Sequence, residues 1–232
     1  MRGFTLEADA AAITRALGLP DEPADFGDRS AICPNSWASV VLTRPDGDRR
    51  FGVARWGLPS SRAALKTAAL RDARQFRQGV IDDLEAIVDE QPDPGVPFVN
   101  LRMAEVPLLV DPGSRCLVPF TGWDQRRRSG SDEVIRFDLP AGDIGFFAGV
   151  HQSGWRGIHR HDDGVENLNL FAIVCFERLA PTAEPGRKLT PIILSRQYQQ
   201  EQWMSATWGE TFKLVGALTS SRAENPSQEN LG

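Results

Sequence analysis

Apolar positions at the start of the chain recur at helical spacing. Ala10, Ile13, Thr14 and Leu17 share one face of a helix read from Glu7 to Leu17, which Gly18 and Pro20 bring to a stop. A loop rich in Asp, Gly and Pro follows, up to Cys33 and Pro34. Residues 38–43 (Ala-Ser-Val-Val-Leu-Thr) predict a strand, Pro45 to Asp48 a turn, and residues 50–55 the returning strand of a hairpin. From Ser61 to Glu90 the period lengthens. Leu65, Ala69, Phe76, Val80, Leu84, Ile87 and Val88 recur at steps of three or four, interrupted at Gly79 and ended by Pro92-Asp93-Pro94-Gly95. Beyond this helix come short apolar runs separated by turn residues, at 98–100, 115–119, 134–137, 146–150 and 170–175. A last strand at 191–194 leads to a helix through Trp203, with Ser195 as its expected N-cap. The sum predicts an α+β fold: a large, mainly antiparallel sheet or open barrel with flanking helices. Residues 1–222 form one domain in this reading, with an inserted helical segment at about 61–95 and a flexible polar tail at 223–232.

Composition narrows the class. A chain of 232 residues, 41% hydrophobic and 25% charged, suits one domain with a full core. No apolar run approaches the ~20 residues that a bilayer span needs, and the first residues lack the apolar stretch of a signal peptide. A cytoplasmic protein without membrane contact is expected. Cys33, Cys116 and Cys175 lie far apart with no CxxC pair and read as buried free thiols. Net charge is −5, opposite to that of proteins that coat long nucleic acids, although a small basic cleft on an acidic body is compatible with it. Arg126-Arg127-Arg128 reads as a solvated hairpin tip. His159-Arg160-His161-Asp162-Asp163 reads as an exposed loop rather than a metal site, and no metal or cofactor is expected.

Several strings, in order, resemble the SOS-response-associated peptidase (SRAP) family. Arg55-Trp56-Gly57-Leu58-Pro59 resembles its Trp-Gly-Leu-x-Pro signature, and Asn100-Leu101-Arg102-Met103-Ala104-Glu105 its Asn-Ala-Arg-x-Glu motif. Arg115-Cys116-Leu117-Val118-Pro119 with Gly122-Trp123 resembles Arg-Cys-Leu-x-Pro followed by Gly-(aromatic)-x-Glu-Trp. Phe147-Ala148-Gly149-Val150 and Pro191-Ile192-Ile193-Leu194, with Trp203, resemble its later strands and closing helix. The family has far less chain between the first two motifs, so the helix at 61–90 reads as an insertion. The resemblance implies a sensor of abasic sites in single-stranded DNA. An N-terminal Cys in that family traps the sugar aldehyde as a thiazolidine, a Glu and a His move the protons, and an Asn and an Arg hold the DNA.

Carried over position by position, the implication splits. Asn100 and Arg102 stand at the family's spacing, two residues apart on one strand face, where an amide and a bidentate fork can address one nucleotide. The alternative for Arg102 is an ion pair, for instance with Glu105. Trp56 and Trp123 are read either as base-stacking platforms or as core. The reactive set is replaced: position 2 is Arg2, the Glu is Gln125, and residues 184–190 contain no His. The expectation is a pseudoenzyme that binds single-stranded or abasic-site DNA in a DNA-damage context without crosslinking. Two alternatives stand beside it: an abasic-site crosslinking or lyase enzyme using the Met1 amine, and a protein-interaction domain whose partner surface is the inserted helix.

Overall fold

The computed structural model describes residues 1–8, 10–19, 29–44, 46–75, 88, 92–101, 107–126, 133–159, 164–179 and 187–224. The fold is α+β, as the pattern predicts. Strands β1 (Gly3–Leu6), β2 (Arg29–Ile32), β3 (Trp37–Thr43), β4 (Arg49–Trp56) and β5 (Phe98–Asn100) precede β6 (Arg115–Phe120), β7 (Gly122–Arg126) and β8 (Val134–Asp138). Two long strands, β9 (Gly145–Ile158) and β10 (Val165–Leu179), and a short β11 (Arg187–Pro191) follow. The helices are α1 (Ala10–Leu17), α2 (Arg62–Gln75), the short α3 (Pro107–Val110), α4 (Gln197–Ser205) and α5 (Trp208–Glu224). Among the described residues no helix is long and apolar enough to cross a membrane.

The larger sheet runs β11-β10-β4-β3-β6-β9, and β9 pairs back onto β10, so β10, β4, β3, β6 and β9 close into a five-stranded barrel. Closure removes the sheet edges there and leaves one continuous interior. Most pairs are antiparallel, but β10 runs parallel to β4 through Arg55 and Trp56, then to β5 through Phe98 to Asn100. Val40, Val41, Leu117, Val118, Phe147, Ala148 and Phe171 to Val174 are all sealed from solvent, so these strands are covered on both faces. A second sheet, β2-β1-β7-β8, lies beside the barrel. Phe4 of β1 joins the two: its ring meets Trp56 edge-on at 5.2 Å and Phe147 at 5.9 Å.

Several local expectations hold, and some are corrected. The hairpin of β3 and β4 is closed by Arg44 to Asp48, with Asp46 accepting from the Asp48 amide at 3.0 Å. Helix α1 ends at Gly18, whose φ of 63° suits glycine. The closing helix α4 is capped at Arg196 rather than Ser195: the Gln199 Oε1 accepts from the Arg196 amide at 3.0 Å. Trp203 of α4 donates its indole N–H to the carbonyls of Cys116 (3.0 Å) and Gly149 (3.3 Å), across the β6–β9 seam. A Cβ on Gly149 would sit 2.7 Å from the Cys116 Sγ, so glycine is required for that approach. Helix α5, which the sequence pattern does not announce, extends through residue 224, past the start of the expected tail.

The inserted segment leaves and re-enters the barrel at one place. Leu58 and Val96 exchange backbone hydrogen bonds of 3.0 and 2.7 Å. The Asp93 carboxylate accepts from the Ser60 amide (2.7 Å), the Ser60 hydroxyl (2.6 Å) and the Gly95 amide (2.8 Å). Gly57 and Gly95 touch backbone to backbone, at φ 149° and 75°. Between these ends α2 buries Ala69 and exposes Leu70. Phe76, Val80, Leu84 and Ile87 of the expected apolar stripe lie outside the described residues.

Candidate nucleic-acid interface

Strand β1 is held between β2 and β7, with Gly3 opposite Asp124, Phe4 opposite Trp123, and the Arg2 amide donating to the Asp124 carbonyl at 2.8 Å. The amino end of the chain is thereby fixed against β7, one residue from Gln125. On its other side lies the end of the barrel. Asn100 pairs with Cys175 across β5 and β10, and the Leu101 amide donates to the Cys175 carbonyl at 2.8 Å. Cys175 is 1% exposed. Burial pushes its thiol up to about 12, partly offset by the positive charge of the amino terminus. Arg2 and Gln125 thus lie on paired strands, and β5, which ends at Asn100, is linked to β1 through Trp56, whose ring meets Phe4 at 5.2 Å and Phe98 at 5.5 Å.

Each expected contact residue has a definite place, except one. Asn100 is half-buried at the end of β5. Arg102 lies outside the described residues. Trp56 is a correction to the stacking reading. It is 0% exposed, its indole N–H donates to the Pro97 carbonyl at 2.7 Å, and Phe4, Phe98 and Phe171 surround its ring. With the ring fully enclosed, no base can reach it. Trp123 is half-buried on β7, with one ring face stacked on Phe137 at 4.9 Å and its edges against Phe120 and Phe147. Gln125 is half-buried on the same strand face as Trp123, opposite Ile135 of β8. Asp124 points to the other face, into a network where Arg136 reaches Asp138 (2.8 Å), Thr5 (3.3 Å), Glu7 (3.8 Å) and Asp124 (3.9 Å).

The thiols and histidines also depart from expectation. Cys116 and Cys175 are buried free thiols as predicted, but Cys33 is exposed, because β2 ends at Ile32 and the chain turns outward. Its sulfur sits 3.5 Å from where a Gly3 Cβ would be. His159, expected in an exposed loop, is 6% exposed at the end of β9, and residues 160–163 lie outside the described residues. Its ring is bonded to the Asp93 backbone. Burial lowers its pKa, and Arg55 lowers it further; the Asp93 backbone bond, Glu166 and Asp93 oppose this. Nothing in the local sequence signals this cluster, because Arg55, Asp93 and His159 come from separate strands and loops.

Comparison with known proteins places the fold but not the family. No protein-family model matches the chain, and no curated protein matches it. Two solved structures from Bordetella bronchiseptica are similar in fold. One, described only as a protein of that organism, has 12% sequence identity and a TM-score of 0.59, with 92% of each chain covered. The other is a phage-related protein with 15% identity and a TM-score of 0.57, covering 94% of this chain and 88% of its own. At such identities the likeness is one of architecture, an α+β barrel shared over nearly the whole chain.

Proposed function

We propose that this chain binds single-stranded DNA, including DNA with an abasic site, reversibly and in a cleft like that of the SOS-response-associated peptidase family. The supporting observation is that Arg2 lies against β7, beside Asp124 and Gln125, while Phe4 of β1 and Phe98, two residues before Asn100, pack on the same Trp56 ring. Asn100 supplies an amide for a sugar or base edge, and Arg102, by the resemblance, a fork for a phosphate. Trp123 offers its open surface to a base; Trp56 takes no part. The family's reactive Cys, Glu and His are replaced in this chain. Arg2 brings no thiol, and Gln125 neither gives nor takes a proton near neutral pH. The Cys175 thiol, sealed and titrating at about 12, supplies almost no thiolate at neutral pH.

A second reading rests on the amine of Met1, held beside β7 by the 2.8 Å bond from the Arg2 amide to the Asp124 carbonyl. A neutral amine there condenses with the aldehyde of a ring-opened abasic sugar, losing water to give an imine that borohydride reduces to a stable amine. One experiment covers both readings: equilibrium binding to an abasic single-stranded oligonucleotide, followed by denaturing electrophoresis with and without borohydride. Reversible binding with no adduct in either lane is the expected result. An adduct that survives heating without borohydride overturns the reversible reading, and a borohydride-dependent adduct establishes the second one. No binding at all leaves the protein-interaction alternative, with the inserted helix as the partner surface.

A further inference from the structure

Before the insertion returns to the barrel, its last leg meets the end of β9. The Asp93 amide donates to the Ile158 carbonyl at 2.8 Å, and the ring of His159, the next residue, hydrogen-bonds the Asp93 backbone. Asp93 and His159 are both closed to solvent, at 5% and 6% exposure. Beyond Val96 the chain is fixed differently. The Pro97 carbonyl accepts from the Trp56 indole N–H (2.7 Å) and from the Ile173 amide (3.0 Å), so it belongs to the barrel. Residues 93–96 are thus a short clasp, held to β9 at one end and hinged on the barrel at Pro97.

An imidazole in this place favours its neutral form. Among the described residues, Arg55 of β4, Glu166 of β10 and Asp93 of the clasp itself act on its charge. Both carboxylates are already engaged: Asp93 with the Ser60 amide and hydroxyl and the Gly95 amide, Glu166 with Arg55 Nη1 at 3.4 Å. The Arg55 guanidinium is itself buried. A proton on His159 therefore adds a second cation near the first, where water reaches neither freely. Burial lowers the His159 pKa most and Arg55 lowers it further; the Asp93 backbone bond, Glu166 and Asp93 oppose this without restoring the usual 6.5. A local opening that brings the ring to water relieves both penalties. Proton uptake and opening are therefore coupled, and acid favours the open form.

We propose that His159 is a proton-operated latch on the stem of the insertion: in mild acid residues 93–96 part from β9, Leu58 and Ser60 while the barrel stays closed. Amide hydrogen exchange resolved by NMR tests this on the full chain, with protection factors between pH 7 and 5 corrected for intrinsic rates. The amides of Ser60, Asp93, Gly95 and Val96 report the clasp; those of Ala148 and Leu194, bonded to Ile192 and Phe146, report the barrel. Clasp protection should fall from pH 7 to 5, by at most about 25-fold for one proton taken up at the usual imidazole pKa. The barrel amides should keep theirs. His159→Gln, which retains a donor but does not titrate, should abolish the fall, and His151→Gln should preserve it. Clasp protection that is flat with pH overturns the latch, as does an equal fall at Ala148 and Leu194, which is global unfolding. A fall that persists in His159→Gln, or vanishes in His151→Gln, assigns the proton to another group and overturns it too. Should His159→Gln open the clasp at every pH, the wild-type ring decides: its NMR titration midpoint should lie below 6.5, and a midpoint at or above that value overturns the proposal.

Discussion

Arg115 is the residue whose replacement this structure predicts most sharply. It is 0% exposed, and its guanidinium lies 5.6 Å from the ring centre of Trp203 and 5.9 Å from that of Trp208. Its partners are mostly backbone carbonyls. Nε donates to Leu109 (3.0 Å), Nη1 to Trp203 (3.0 Å), Ala206 (2.8 Å) and the Thr211 hydroxyl (2.9 Å), and Nη2 to Val110 (3.2 Å). One side chain therefore binds β6 to α3, to the end of α4 and to the start of α5. Burial lowers its pKa and Asp111 raises it, and the bonds all require the charged, planar form. Lysine keeps the charge but offers three donors at one point where arginine makes these five bonds, so carbonyls are left without partners. With each lost charge-assisted bond worth about 1.5–3 kcal/mol, Arg115→Lys should cost about 3–5 kcal/mol. In a domain of this size that is a fall in melting temperature of roughly 6–20 °C. Urea unfolding at unchanged m-value, checked by calorimetry, measures it. A cost under about 1 kcal/mol would refute the argument.

Other consequences follow from burial and from the insertion's stem. In the native protein Cys33 should react rapidly with a thiol-specific disulfide reagent while Cys116 and Cys175 react only on unfolding; burial raises the pKa of both, that of Cys175 to about 12. Removing residues 62–91 and bridging Ser61 to Pro92 should leave a cooperatively melting barrel, since Leu58, Ser60, Asp93 and Val96 close the stem without the helix; a broad, non-cooperative melt would make the helix part of the core. His159 has a folded-state pKa below its usual 6.5, so the unfolded chain takes up the proton first as pH falls. The stability it contributes is full above pH 6.5 and lost as pH drops through the folded value. His159→Gln should therefore flatten the stability decline between pH 7 and 5, and an unchanged slope in chemical denaturation would contradict this.

The fold was more legible than the site, for physical reasons. The apolar run of β3 and the turn chemistry of residues 44–48 announce the hairpin directly. Helix α5 was hidden by Gly209, Gly216 and its Thr and Ser residues, all poor helix formers, and tertiary contact through Arg115, Thr211 and Val215 overrides that. The outer halves of β9 and β10 carry no apolar pattern because both faces there are largely exposed. Trp56 and Trp37 flank the same stretch of sheet, and only the sheet's closure decides that one is sealed and the other open. The packing of Phe4 and Phe98 on one Trp56 ring depends on which strands lie side by side, and no local signal carries that.

The central claim, reversible binding of single-stranded DNA at the start of β1, is tested most directly by affinity as a function of salt for wild type and Arg102→Ala, with melting temperatures measured on both. If Arg102 holds a phosphate, the substitution should weaken binding by about 1–3 kcal/mol and reduce the salt slope by about one contact, with little change in melting temperature. A wild type with no measurable affinity at low salt would contradict the claim. So would an Arg102→Ala variant of unchanged affinity whose stability falls by roughly 3–5 kcal/mol, the result expected of a buried ion pair.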